Sequence, residues 1–232
     1  MRVGVHTGAD LNKTVAHCRH LDINDVFVSA DGVSGFAEHG HLRADTVESL
    51  RDGLAQHGVR MAGMVAPVPS KDAVLGRDES ELANLCNTLG AMGKAGIDVV
   101  LFYPLDRFIH FHEYHRARPL EVMPGDEDWE AILAFFRRVV NVADETNVNL
   151  ANHLWAVEVL HAIWDAVPSP HNGVTYCQGM YIFGEEPDRP VDTWGLDRIF
   201  FAHARNLIRH GPSFQDYEEV PLDNGDVDMA KC

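Results

Sequence analysis

The chain has 232 residues, 46% of them hydrophobic, with 35 acidic against 19 basic side chains and a formal charge of −16. That length and apolar content suffice for a full core in one domain, residues 1–232, and a charge of this sign opposes nucleic acid and anionic membrane surfaces where no basic patch intervenes. No apolar run reaches the roughly 20 residues of a bilayer span, and the start MRVGVHTGAD lacks a basic region followed by an apolar one, so a cytoplasmic protein without membrane attachment is expected.

Short β-type runs alternate with longer segments of helical pattern. Arg2–Thr7 is the first strand, followed by a helix over Asp10–His20 with Asp10 as its N-cap. Asp25–Ala30 is the second strand. A helix over Ala44–His57, stopped by Gly58, leads to the third, Val59–Ala66. After Pro67 and Pro69 an amphipathic helix covers Glu79–Ala95, and Asp98–Tyr103 is the fourth strand. A polar stretch, Asp106–Asp126, carries Ile109-His110-Phe111-His112-Glu113-Tyr114-His115-Arg116 and is expected to act as a loop over a site. A helix over Trp129–Glu145, a fifth strand over Val148–His153 and a helix from about Ala156 to Ala166 come next. Two apolar runs close the series, Gly173–Gly179 and Ile199–Asn206.

Seven β units separated by helices, with no hairpin signal between them, predict a parallel sheet with right-handed crossovers. The fold class expected is therefore α/β, a (β/α)8-type TIM barrel in which no eighth strand is visible after Arg205. An uncovered edge at that place would favour self-association, so a homo-oligomer is expected.

His153, Cys177 and His203 stand near the C-terminal ends of the fifth, sixth and seventh runs, the end of a parallel barrel at which sites are built. Imidazole and thiolate are good ligands for borderline divalent metals. One such residue alone would more often be a buried core group; three at matching positions point to a metal site. Arg205, two residues beyond His203, would share its face on a strand and suits a carboxylate-bearing substrate, a salt bridge to an acidic neighbour being an equally good reading. His6 could face the same mouth, with a structural role favoured. Cys18, Cys86, Cys177 and Cys232 are widely spaced without a CxxC, which argues against a disulfide framework.

The phrase from Ala166 to Gly179 (AVPSPHNGVTYCQG), the step His203-Ala204-Arg205-Asn206 and the run Gly225-Asp226-Val227-Asp228-Met229 together resemble the mannonate dehydratase family, one of the xylose-isomerase-like metal-dependent TIM barrels. The resemblance covers about the last third of the chain, helped by Tyr103-Pro104-Leu105-Asp106. It implies that His153, Cys177 and His203 hold a divalent cation, typically Mn2+, with Fe2+ or Zn2+ as alternatives. It further implies that Arg205 and the Gly225–Met229 motif flank a sugar acid, and that the reaction is loss of water from D-mannonate to give 2-keto-3-deoxygluconate. Two departures stand out. The family's fifth-strand histidine precedes an Asp- and Pro-rich stretch, whereas His153 runs into Leu154-Trp155-Ala156-Val157, and the family's last strand, with a further Asp ligand and an acid/base pair, has no counterpart before Cys232. His110, His112 or His115 could take over acid/base work, with His112 assigned a catalytic role. The competing readings are a sugar or sugar-acid isomerase or epimerase on the same barrel, and a catalytically degenerate sugar-acid-binding barrel.

Overall fold

The computed structural model describes residues 2–105, 126–154, 157–181, 190–211 and 216–229. Seven strands form one parallel sheet in chain order: β1 (Gly4–Thr7), β2 (Asp25–Ser29), β3 (Arg60–Val65), β4 (Val99–Phe102), β5 (Asn149–Asn152), β6 (Asn172–Cys177) and β7 (Ile199–His203). The helices between them are α1 (Leu11–Leu21), the short α2 (Phe36–His39), α3 (Ala44–Gln56), the short α4 (Lys71–Val74), α5 (Glu79–Lys94), α6 (Asp126–Thr146), α7 (Val157–Ala166), α8 (Gln178–Tyr181) and α9 (Pro190–Trp194). The expected helix boundaries hold to within a few residues because their stop and start signals are local. Asp10 accepts a hydrogen bond from Lys13 N at 3.0 Å and Asp78 accepts one from Glu81 N at 2.9 Å, each satisfying a free N–H of a first turn.

Along each inner strand alternate residues pack in opposite directions. Val26, Val28, Val100, Phe102, Leu150, Val174 and Tyr176 join Leu54, Leu82, Leu89, Phe135, Phe136 and Val139 of the helices in one apolar cluster. Phe27, Leu101, Ala151 and Thr175, the intervening residues, are buried on the other side. There the sheet curls far enough for Phe27 of β2 to meet Phe201 of β7, with ring centroids 4.4 Å apart. Strands that are five places apart in the sheet can touch in this way only if the sheet wraps into a half-closed barrel. Among the described residues β1 and β7 do not pair.

The N-terminal ends of the strands hold the fold together. Asp25, at the start of β2, accepts from Arg2 Nε at 2.7 Å and from Arg60 Nε at 2.6 Å, clipping the first three strands together. Burial alone would raise the Asp25 carboxyl, but the hydrogen bonds and charges of Arg60 and Arg2 outweigh it and hold the group below the usual carboxylate range. On the other side of the barrel Arg198 donates to Ser169 O and Asn172 O, both at 2.9 Å, and lies over the Trp164 ring at 5.1 Å. Asp144 takes His171 Nδ1 at 2.9 Å and the Ser169 hydroxyl.

Two expectations need correction. The run Ile199–Asn206 is not one strand: β7 ends at His203, and Asn206–Arg209 is a separate strand, β8, paired antiparallel with β9 (Tyr217–Val220). A hairpin therefore follows the parallel series. Likewise the run Gly173–Gly179 stops as a strand at Cys177, where α8 begins.

The β6–β7 register shifts between Val174 and Thr175: Val174 pairs with Ile199, but Thr175 pairs with Phe201, which leaves Phe200 as an extra residue, a bulge. A Cβ on Gly173 would come within 2.3 Å of the Phe200 ring and 2.5 Å of Arg198 O, so glycine is what admits the bulge. Gly173→Ala is expected to cost about 1–3 kcal/mol by overpacking, read as a lower urea midpoint, and to weaken whatever depends on the alignment of Cys177 with His203. An unchanged midpoint would show that the bulge relaxes freely.

Candidate metal centre

Cys177 is the last residue of β6 and His203 the last of β7, and the two are register partners. His153 follows the last residue of β5 directly, its N–H bonded to Phe102 O at 2.7 Å. The ring nitrogens of the two histidines and the Cys177 sulfur include one atom from each that lies within 4.8 Å of the other two. Two ligands on one tetrahedral ion, each bonded at about 2.0–2.3 Å, stand roughly 3.5–4 Å apart. Small side-chain rotations would thus close the set around a cation.

The surroundings are largely dry. Cys177 is 1% exposed and His153 8%. Tyr103 tilts against His153 at 4.7 Å between centroids, His153 and His203 are 5.2 Å apart, and Phe201 meets His203 edge-on at 5.0 Å. Burial, then the charges of His203 and Arg205, push the His153 imidazole down to about 3. Burial, then Arg205 and His6, push His203 down to about 4. Both rings are thus neutral at physiological pH, the form that binds metal. The donor set fits a borderline divalent ion.

Arg205 sits in the two-residue break between β7 and β8, not on the strand that carries His203. Its position is nevertheless fixed beside the cluster. A Cβ on Gly179, two residues past Cys177, would lie 3.1 Å from Arg205 Cγ, so the arginine stem runs over the bare backbone there. Arg205 Nη2 donates to the Tyr217 hydroxyl at 2.9 Å, Nε pairs with Glu219 Oε1 at 2.7 Å, and the guanidinium lies 5.2 Å from the Tyr217 ring centroid. The salt-bridge reading was therefore correct as to contacts.

The hairpin is locked by Asn206, which is 2% exposed. Its amide donates to Leu222 O at 2.8 Å and Val227 O at 3.0 Å, while its carbonyl oxygen accepts from Val227 N at 3.0 Å. A Cβ on Gly225 would come within 2.1 Å of that oxygen. Asp226 Oδ2 accepts from Arg209 N at 2.8 Å. The Gly225–Met229 stretch is thus a clasp around Asn206 and more than a charged loop. Sequence reasoning missed Asn206, Tyr217 and Glu219. The alternation in Tyr217-Glu218-Glu219-Val220, with Gly211-Pro212 before it, was the available hairpin signal. His112, with His110 and His115, lies outside the described residues. His6 lies on β1 and bonds Ser29 Oγ through Nε2 at 2.7 Å.

The curled parallel sheet, with a His/Cys/His cluster at its C-terminal mouth, defines the class as a (β/α) barrel fold with seven parallel strands among the described residues. The fold is shared with a xylose isomerase domain protein from Planctomyces limnophilus (TM-score 0.72, 14% identity, covering 98% of this chain and 83% of that one). It is shared equally with mannonate dehydratase from Streptococcus suis serotype 2 (TM-score 0.73, 17% identity, 99% and 78%). Residues 120–232 match the family model of D-mannonate dehydratase. Mannonate dehydratase 2 of Halalkalibacterium halodurans is 32% identical over 128 residues, a match that spans 46% of this chain and only 36% of that relative. No helix among the described residues is long and apolar enough to cross a membrane.

The imidazole shifts have a consequence for the metal-free protein. Unfolded histidine titrates near 6.5, while the folded groups titrate at about 4 and about 3. Below pH 6.5 the unfolded chain therefore binds protons that the native state does not. Stability present above pH 6.5 should fall steadily as pH drops towards 3. Urea midpoints of chelator-treated protein between pH 7.5 and 4.5 would show this, and a His153→Gln/His203→Gln double variant should flatten the trend. A flat wild-type profile would mean that the rings are not held neutral.

Proposed function

We propose that this protein is a metal-dependent hydro-lyase that removes water from a sugar acid, D-mannonate to 2-keto-3-deoxygluconate. The observation that carries the reading is the convergence of His153, Cys177 and His203 inside the stretch that matches the D-mannonate dehydratase family. In this proposal those three residues hold the cation, Mn2+ before Fe2+ or Zn2+, within one barrel domain over residues 1–232 of a cytoplasmic homo-oligomer. When bound, the ion supplies Lewis-acid polarisation of the substrate carboxylate and a neighbouring hydroxyl.

The residues of the chain do the rest. The two imidazoles stay neutral and able to bind because they are buried and face the Arg205 charge. Arg205, held by Tyr217 and Glu219, presents a fixed cation that favours an anionic substrate and the negative charge that grows on its carboxylate as the α proton leaves. Tyr103 and Phe201 give the pocket an apolar wall that limits water around the reacting carbons. The sequence reading gives His112 an acid/base role, and that residue lies outside the described residues. Among the described residues no carboxylate joins the cluster, which favours dehydration over an isomerase chemistry that calls for carboxylates beside the metal.

Elemental analysis of purified wild type and Cys177→Ala, with D-mannonate turnover on the same samples, tests the proposal. The expected result is one divalent ion per chain in wild type, with measurable turnover. Cys177→Ala should lose more affinity than the roughly 10–100-fold typical of an outer-shell partner. Glu219→Gln should leave metal content unchanged and raise KM for the sugar acid several-fold. No metal in wild type would return all three residues to the core, and metal without turnover of any aldonate would favour a binding barrel.

A further inference from the structure

Loss of water from a sugar acid needs a group that takes the α proton and a donor for the departing hydroxyl. The three donor residues are committed in the proposed function, and Arg205 is a fixed cation tied to Tyr217 and Glu219. Among the described residues His6 is a further imidazole whose charge reaches this cluster. His6 pairs with Phe27 across the β1–β2 ladder, so the two side chains share the inner face. The Phe27 ring meets Phe201, and Phe201 meets His203 edge-on. His6 is thus separated from the cluster by two aromatic rings around the open side of the barrel. It is close enough for its charge to act on His203.

His6 is exposed, and its ring is anchored by Ser29 Oγ on Nε2 at 2.7 Å. Ser29 ends β2, two residues past Phe27 and on the same face of the strand. With Nε2 engaged, Nδ1 is the nitrogen left for exchange. An imidazole oriented through one ring nitrogen by a second side chain, with the other nitrogen turned elsewhere, has the equipment of a general base.

We infer that His6, oriented by Ser29, is the acid/base residue of this site, in the place of His112. The inference rests on the dehydratase reading above. In the step, neutral His6 takes the proton from C2 of the sugar acid, and the C–H electron pair forms the C2=C3 double bond as the C3–O bond breaks. The imidazolium returns its proton to the leaving hydroxyl, which departs as water. The resulting enol then takes a proton from solvent at C3 and releases its O2–H proton to solvent, giving the 2-keto product with no oxidant or reductant needed.

The test uses Mn2+-loaded full-length protein and D-mannonate. His6→Ala is expected to lower kcat by about 100-fold or more, the usual contribution of general acid–base catalysis, with KM and metal content within about twofold of wild type. Added imidazole should recover part of the lost rate, because the position is open to solvent; a merely structural residue would show no such rescue. Ser29→Ala should lower kcat several-fold, and the combination with His6→Ala should be no worse than His6→Ala alone. Full activity in His6→Ala, or a loss accompanied by loss of metal and insensitive to imidazole, overturns the assignment while wild-type turnover keeps the dehydratase reading. A metal-loaded wild type inactive on all aldonates overturns both.

Discussion

One extra residue in a strand decides whether Cys177 and His203 meet. If the β6–β7 ladder continued in the register of Val174 with Ile199, Cys177 would stand opposite Ala202, and His203 would point to the other face of the sheet, because a slip of one residue inverts every side chain. The bulge at Phe200 restores the match and makes Cys177 and His203 partners. Its cost is local crowding, met by Gly173, whose missing side chain leaves room for the Phe200 ring. The third donor needs no such device, since His153 follows β5 directly and β5 pairs with β6 without a break.

The two ends of the barrel divide the labour. Ionic and amide contacts gather where the strands begin: Asp25 with two arginines, Asp144 with Ser169 and His171, and Arg198 with two carbonyls. Buried Asn172, the first residue of β6, continues this pattern, and Asn152 at the end of β5 reaches back to it, its Nδ2 donating to Asn172 Oδ1 at 2.8 Å. The chemistry-bearing residues gather where the strands stop. The phrase that first suggested the family therefore splits in two. Ser169, His171 and Asn172 secure the start of β6, whereas Cys177, five residues past Asn172 at its other end, faces the mouth. A motif read as one functional unit is half scaffold.

This explains how far the sequence could be read. Strand order, helix limits and the three donor positions rest on local signals, namely apolar runs, caps, and Gly58 and Gly96, whose φ values of 75° and 73° suit helix ends. The break after His203 did not carry such a signal, because Ile199 to Asn206 is apolar or neutral almost throughout and nothing in it marks where pairing changes partner. What ends β7 is a tertiary event, the capture of Asn206 by the Leu222 and Val227 backbone some twenty residues later. The partners of Arg205 were illegible for the same reason, since Tyr217 and Glu219 reach it only once the hairpin has folded.

Arg205 also ties together two properties that would otherwise conflict. A chain of net charge −16 repels anions, so an acid-binding pocket in it needs a local cation that neighbouring carboxylates do not fully cancel. Glu219 pairs with the Nε edge of the guanidinium from an exposed position where screening is strong, so the cation's field persists on the buried side. There the same field opposes protonation of His153 and His203. In the proposed function one fixed charge thus attracts a carboxylate and keeps two imidazoles unprotonated, and a neutral residue at this position would weaken both effects together. The clasp of Asn206 and Gly225 therefore bears on the site although it touches none of the three donors, because it fixes the backbone from which Arg205 extends.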